Sequence, residues 1–217
     1  MTTCWNCKET LDPARMCANC GVLLPLPRAA SHFALFGLPE RLTVDGAELE
    51  RLFHELSRRN HPDRFRKGPA RERMIALENI SRLNEAYRSL KDPLERAAYL
   101  IRLKRGDAPA VGASPPSELF EEILEIQEEL GEYRFADGDE KQVLGRRLSG
   151  RRDDLARERD ERTTRLTEDL FASWDATDSE PRREEILNEM AAILGARGYL
   201  NRMLDSLHAA LEGSITR

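Results

Sequence analysis

The sequence predicts an all-α protein, with two helical units behind a small cysteine module, and three observations predict it. Charged residues make up 34% of the chain and aromatics 6%, with Glu, Arg, Leu and Ala abundant and β-branched residues few, a balance that favours helix. Apolar residues recur at helical spacing in two blocks, residues 31–105 and 117–217, with no strand signal in the second. Between the blocks, residues 106–116 are rich in Gly, Ala, Pro and Ser and read as a linker. Ahead of both, residues 1–27 hold all four cysteines and end on Pro25 and Pro27, a stiff connector.

The formal net charge of −5 argues against nonspecific nucleic-acid binding, which needs a strong positive field. No apolar run approaches the ~20 residues that span a bilayer. The stretch from Met1 to Cys7 lacks the basic-then-apolar pattern of a signal peptide, and no Arg-rich transit peptide is visible. The expectation is a cytoplasmic protein with no membrane and no nucleic-acid partner. Its cysteines would then be reduced.

Cys4-x-x-Cys7 and Cys17-x-x-Cys20 are separated by nine residues. A two-residue spacer turns both sulfurs of a pair toward one point, and two such knuckles complete a tetrahedral S₄ site. Thiolates at this spacing in a reducing cell suit one structural Zn²⁺ on Cys4, Cys7, Cys17 and Cys20. Metal binding would supply folding free energy, on the order of 10 kcal/mol for small zinc modules, to a segment too short for a core of its own. Iron in the same ligand set, or disulfides, are the alternatives. Four protein ligands close the site, so no catalysis is expected there.

In the first helical block, Leu49, Leu52, Phe53 and Leu56 form one apolar stripe, with Arg51 and Arg58 opposite. Leu77, Ile80, Leu83, Asn84, Tyr87 and Leu90 form the facing stripe. Two such helices pack antiparallel, and Asn60-His61-Pro62-Asp63 falls in their connection. Pro62 cannot continue the helix and biases His61 toward extended geometry, which exposes His61 and Asp63 at the tip. Asp92 is the N-cap and Pro93 the first residue of a last short helix, Leu94 to Leu103. Taken alone, His-Pro-Asp is an ordinary helix end followed by a cap residue.

Set between a helix with basic residues and an ending Ala86-Tyr87-Arg88-Ser89-Leu90-Lys91-Asp92-Pro93, the tripeptide resembles that of a J-domain, the module that stimulates the ATPase of DnaK-class chaperones. The resemblance implies that His61, Pro62 and Asp63 trigger hydrolysis in the partner and that Arg51, Arg58 and Arg59 steer onto its acidic surface. Phe33-Ala34-Leu35-Phe36-Gly37-Leu38-Pro39, His61-Pro62-Asp63-Arg64-Phe65 and Pro93-Leu94-Glu95-Arg96-Ala97-Ala98-Tyr99-Leu100 narrow the likeness to HscB-type co-chaperones of iron–sulfur cluster assembly. Some members of that family begin with a Cys-Trp-x-Cys pair like Cys4-Trp5-Asn6-Cys7. The implied architecture is a J-domain over 31–105 joined to a C-terminal three-helix bundle over 117–217 that binds the scaffold protein IscU. The zinc-ribbon-like module precedes them. Asn60 stands where the family has an aromatic, and Arg64 where Lys is commoner. Both fall at the expected contact loop, where they would tune affinity for the chaperone.

In the second block the helix from Ser117 carries Leu119, Ile123, Ile126 and Leu130 on one stripe, a sufficient core face. Phe120 and Leu124 lie off it, beside Glu121, Glu125, Glu128 and Glu132. An apolar pair rimmed by carboxylates is what a partner patch needs. On spacing alone, a widened core stripe remains the alternative. Gly138 and Pro181 mark helix breaks, and Arg146 to Arg165 reads as one solvated, charge-paired helix. In the last helix Ile186, Met190, Ile193, Leu200, Leu204, Leu207 and Leu211 form the seam, and Tyr199 lies off it. The stretch from Phe120 to Glu129 resembles the scaffold-binding Leu-x-x-x-Leu-Glu-x-x-Glu-Glu of HscB-type proteins, departing from it at Phe120, and Gly131 beyond it is also uncommon there. The likeness implies that Phe120, Leu124, Glu125, Glu128, Glu132 and Tyr199 bind the scaffold.

The implied function is a co-chaperone with no catalysis of its own, partnered by a DnaK/HscA-class chaperone and an IscU-type scaffold. The rivals are a J-protein serving another client and a zinc-ribbon nucleic-acid-binding protein. The scattered His32, His54 and His208 offer an enzyme no nucleophile–base or open metal constellation.

Overall fold

The computed structural model describes residues 2–11, 16–106 and 117–213, which divide into two compact units, residues 1–99 and 100–217. The linker expected over 106–116 lies, beyond Gly106, outside the described residues, as does the side chain of Leu119.

The first unit opens with an antiparallel pair of two-residue strands, β1 (Thr2–Thr3) and β2 (Thr10–Leu11), around the first cysteine knuckle. A bridge between Met16 and Leu23 closes the second. Helix α1 (His32–Phe36) is capped by the Ser31 hydroxyl, which accepts from the Ala34 N–H at 3.2 Å. It ends on Gly37, whose φ of 70° is the left-handed conformation that glycine adopts without a Cβ penalty. Helix α2 (Gly46–Asn60) starts at Asp45, whose carboxylate accepts from the Ala47 and Glu48 N–H groups. A 3₁₀ turn, Pro62–Phe65, leads to α3 (Ala70–Lys91).

Phe53 stacks on Tyr87 at 4.2 Å, and Asn60 meets Asn79 further on. The sequence numbers run in opposite senses, so α2 and α3 are antiparallel, as their stripes require. The buried face of α3 is Glu72, Ile75, Ala76, Asn79, Leu83, Ala86 and Leu90. Leu77, expected on the facing stripe, is instead 59% exposed. It lies about 100° around the helix from Ala76, off the centre of that face. Asp92 caps α4 (Pro93–Arg105) by accepting from Leu94 and Glu95 N–H groups at 2.8 and 3.0 Å.

In the second unit, α5 (Ser117–Phe135) is followed by one long helical run: α6 (Gly138–Thr164), a π-helical segment (Arg165–Leu170) and α7 (Phe171–Ala176). Pro181 lies in the first turn of α8 (Glu180–Glu212), which packs along that run. Three layers of helix thus surround a core of Ile126, Leu130 and Tyr133 from α5, Leu144, Leu148 and Leu155 from α6, and Ala196, Leu200, Met203 and Leu207 from α8. The stretch read as wholly solvated therefore buries Leu148 and Leu155, spaced seven residues apart on one face. At the π segment the Thr163 hydroxyl donates to Arg159 C=O at 2.7 Å and Thr167 to Thr163 C=O at 3.0 Å. Such back-bonding competes with the regular helical ladder.

Candidate metal centre and partner-binding surfaces

The two cysteine knuckles converge. One ligand atom from each of Cys4, Cys7, Cys17 and Cys20 lies within 4.8 Å of all the others. The cysteines are free thiols, with Cys4 Sγ 3.7 Å from Cys20 Sγ and Cys7 Sγ 3.6 Å from Cys17 Sγ. A tetrahedral S₄ site with Zn–S near 2.3 Å needs sulfurs about 3.8 Å apart, so the four residues fit a metal ion. Turns hold the sulfurs there: Lys8, at φ 65°, donates to Cys4 C=O, and Gly21 donates to Cys17 C=O. The Val22 N–H and the Asn6 side chain lower the Cys20 thiol to about 6. Cys17 is pushed up to about 11: the Cys20 N–H favours its thiolate, but burial and the Cys20 and Cys7 sulfurs outweigh it. Four sulfurs this close resist ionising together, and a bound cation relieves that conflict.

Trp5 and Leu24 pack on the cysteines, and the Trp5 indole N–H donates to Leu23 C=O at 2.8 Å. The segment after the second knuckle lies on α3. Leu23 N–H donates to Glu72 Oε1 at 2.8 Å, and Leu26 N–H to Asn79 Oδ1 at 2.9 Å. Arg82 donates to the carbonyls of Leu26 and Pro27.

His61, Pro62 and Asp63 come together at the tip of the α2–α3 pair. His61 has extended backbone, and its Nδ1 accepts from the Asp63 N–H at 3.3 Å. The His61 and Asp63 side chains are 56% and 76% exposed. The basic residues divide. Arg51 is held by Glu48 at 2.7 Å and Glu55 at 3.4 Å, and Arg59 by Glu55 at 2.7 Å. The hydrogen bonds that Arg51 donates to the Glu48 carboxylate raise the Arg51 pKa further. Arg58 is exposed and outside these pairs. With three Arg against three Glu, α2 is not a basic helix as a whole. Exposed Arg64, Arg66 and Lys67 on the turn add the positive charge. Asn60 departs from the expectation most. It is 1% exposed and turned inward, donating to Leu56 C=O and accepting from Asn79, so it cannot touch a partner at the contact loop.

On α5, Ile123, Ile126 and Leu130 face the core while Phe120 and Leu124 are 50% and 49% exposed. Glu128 and Glu132 are also exposed, but Glu125 pairs with Arg151 of α6 at 2.8 Å. The same guanidinium reaches Glu129 at 3.4 Å and Glu122 at 3.9 Å. Tyr199 is half-buried under the Arg202 guanidinium, 4.2 Å from the ring centroid. Phe135, 92% exposed, was not singled out in the sequence. At 100° per residue it lies about 20° from Leu124, with Gly131 about 20° to the other side, so both extend the stripe.

No family model matches the chain. The co-chaperone protein HscB homolog of Ralstonia nicotianae is 41% identical over 108 residues, 49% of this chain and 61% of that protein. The chain thus matches about three-fifths of that relative's length. The crystal structure of human co-chaperone protein HscB superposes with a TM-score of 0.67 at 21% identity, covering 95% of this chain and 97% of that one. Chaperone HscB from Vibrio cholerae is 24% identical with a TM-score of 0.44, covering 82% of this chain and 99% of that one. The chain is related in sequence to a curated HscB homolog and has the fold of HscB over nearly its whole length, with a four-cysteine cluster that fits a zinc module.

Proposed function

We propose that the chain is a co-chaperone of iron–sulfur cluster assembly that binds an IscU-type scaffold and stimulates the ATPase of a DnaK/HscA-class chaperone. The observation that carries the reading is the exposed His61-Pro62-Asp63 turn at the tip of an antiparallel helix pair. His61, Pro62 and Asp63 engage the ATPase, with Arg58 as the main steering cation and Arg51 and Arg59 as weaker ones, screened by their own glutamates. Phe120, Leu124, Glu128 and Glu132 offer the scaffold an apolar stripe with a carboxylate rim, Glu125 joins it while paired to Arg151, and Tyr199 adds an aromatic from α8 stacked under Arg202. Holding scaffold and chaperone on one chain raises their effective concentration, so stimulation needs no chemistry from this protein. Cys4, Cys7, Cys17 and Cys20 hold one Zn²⁺, which supplies folding free energy at a closed site. The setting is a reducing cytoplasm, where the thiols stay available to the metal.

The test uses two readouts on the full chain. His61→Gln abolishes stimulation of chaperone ATPase and leaves scaffold binding intact; normal stimulation by the variant overturns the J-domain reading. A pull-down that recovers a DnaK-class chaperone without an IscU-like scaffold overturns the client assignment and leaves a J-protein for another client. Metal analysis should give about one zinc per chain.

A further inference from the structure

The cysteine module and the His61-Pro62-Asp63 turn are tied together inside the first unit by buried contacts. We propose that the metal-loaded module positions the turn, with Asn60 and Asn79 as the positioning residues, so that metal occupancy of the cysteines is read out at the chaperone contact. The role of the turn in that statement rests on the function proposed above; the coupling itself does not.

Two routes carry the coupling. The first is polar. Leu24 packs its side chain on Cys4 and Cys17, while its carbonyl accepts from Asn79 Nδ2 at 3.0 Å. Asn79 Nδ2 also donates to Asn60 Oδ1 at 2.9 Å, and Asn79 Oδ1 accepts from Leu26 N–H. Asn60 Nδ2 donates to Leu56 C=O at 2.8 Å, and the next residue is His61. Both amides are 1% exposed. Exchanging O and N on Asn79 would set an NH₂ group against the Leu26 N–H, so the network has one orientation. Each amide is satisfied only while the others stay in place, and a buried amide left without partners is costly.

The second route is apolar. Leu23 packs with Ile75 and Ala76 of α3, and both Trp5 and Phe65 lie against that cluster. Trp5 sits in the first knuckle and Phe65 is the last residue of the Pro62–Phe65 turn. The Glu72 carboxylate adds a third point. One oxygen accepts from Leu23 N–H, and the other abuts Gly68, where an added Cβ would stand 2.5 Å from it. The segment 61–68 is thus held from the side on which residues 23–26 lie. Removing the metal frees Leu24 and Trp5 from the cysteines and loosens both routes at their origin.

The test follows the loop directly by NMR on the full chain under reducing conditions, before and after removing zinc with a chelator. Metal removal should shift the His61 imidazole and the Asp63 and Arg64 amides and speed amide exchange across 60–65 by tenfold or more. Amides of the second unit should not respond. In zinc-loaded Asn79→Leu the same loop signals should already be displaced, and zinc removal should add little. Loop signals that stay put once the metal has gone, whether or not Trp5 responds, overturn the proposal. Should Asn79→Leu fail to fold, the metal-removal arm decides alone. In an ATPase assay the zinc-free chain should need several-fold more protein for half-maximal stimulation, with the maximum retained. A zinc-loaded wild type that stimulates no DnaK-class ATPase sinks the proposed function, and the NMR result still decides the coupling.

Discussion

The turn at His61–Phe65 owes its shape to groups far away in sequence, whereas the exposed stripe of α5 owes its shape to the helix that carries it. Asn60 and Phe65 bracket the turn, Asn60 anchored to Asn79 and Phe65 to the cluster of Leu23, Ile75 and Ala76. Phe120, Leu124, Gly131 and Phe135 need only an intact α5, held by Ile126, Leu130 and Tyr133. A loop of polar residues has no intrinsic rigidity, so its geometry is borrowed from neighbours. A helix face is fixed by its 3.6-residue period once the opposite face is buried. The first surface is therefore sensitive to substitutions that never touch a partner, and the second is not.

The largest effect expected from breaking this contrast is in the bundle core. Ile126 is fully buried, and Ile126→Ala should cost the second unit about 2–5 kcal/mol in denaturant unfolding. Leu124→Ala, two residues away on the opposite face and 49% exposed, should change stability by no more than about 0.5 kcal/mol. The Phe120→Ala/Leu124→Ala double variant should then lose scaffold affinity while melting like wild type. A large drop in melting temperature for that double variant would return both residues to the core and remove the proposed surface.

Next in size is the amide pair. Asn60→Ala removes the acceptor for one Asn79 N–H and leaves it buried, for a cost of about 1–3 kcal/mol. Replacing both amides with apolar residues should recover part of that cost, since no buried donor is then stranded. A double-mutant cycle gives the coupling. Additive losses would mean that the pair does not act as a unit.

These residues also show what the sequence could and could not disclose. The knuckle spacing, the helix-breaking Pro62 and the cap-and-proline pair Asp92-Pro93 are local signals, and each lies where its chemistry put it. Phe120 and Leu124 were separable from Ile123 and Ile126 because helical period is local as well. Asn60 was misread because its partner is Asn79, and nothing in a window around residue 60 points there. Leu77 was misplaced for a related reason: α3 packs on residues 23–26 as well as on α2, which turns its buried face toward Glu72, Ala76 and Asn79. Arg151, which gathers Glu122, Glu125 and Glu129 across α5 and α6, was hidden in a charge run where every Arg looks alike.

Gly131 sharpens the account of the α5 stripe by a smaller amount. It sits mid-helix with nothing within 4 Å of where a Cβ would stand. Gly131→Ala should therefore stabilise the second unit by about 0.5–1 kcal/mol. A partner whose backbone approaches the stripe at this point would lose affinity for the same variant. Gain of stability with unchanged scaffold binding would place the contact elsewhere on the stripe.

The smallest effect concerns charge near the turn, and it separates residues that look equivalent in the sequence. Arg51 shares its charge with Glu48 and Glu55, so Arg51→Gln removes a cation and uncovers two carboxylates already in contact with it. Arg58 has no such neighbours in those pairs, and its field reaches solvent. Charges steer association through unscreened field and act mostly on the on-rate. Arg58→Gln should slow chaperone association about threefold at low salt, with the difference fading as ionic strength shortens the Debye length to about 8 Å near 0.15 M. Arg51→Gln should slow association by a smaller factor, because Glu48 and Glu55 already screen that charge, and Glu48→Gln should rescue it. No Glu on α2 rescues Arg58→Gln in the same way. Rescue of both variants by Glu48→Gln would show that only the net charge of α2 matters, and the distinction between an arginine held by Glu48 and Glu55 and one outside those pairs would then carry no functional weight.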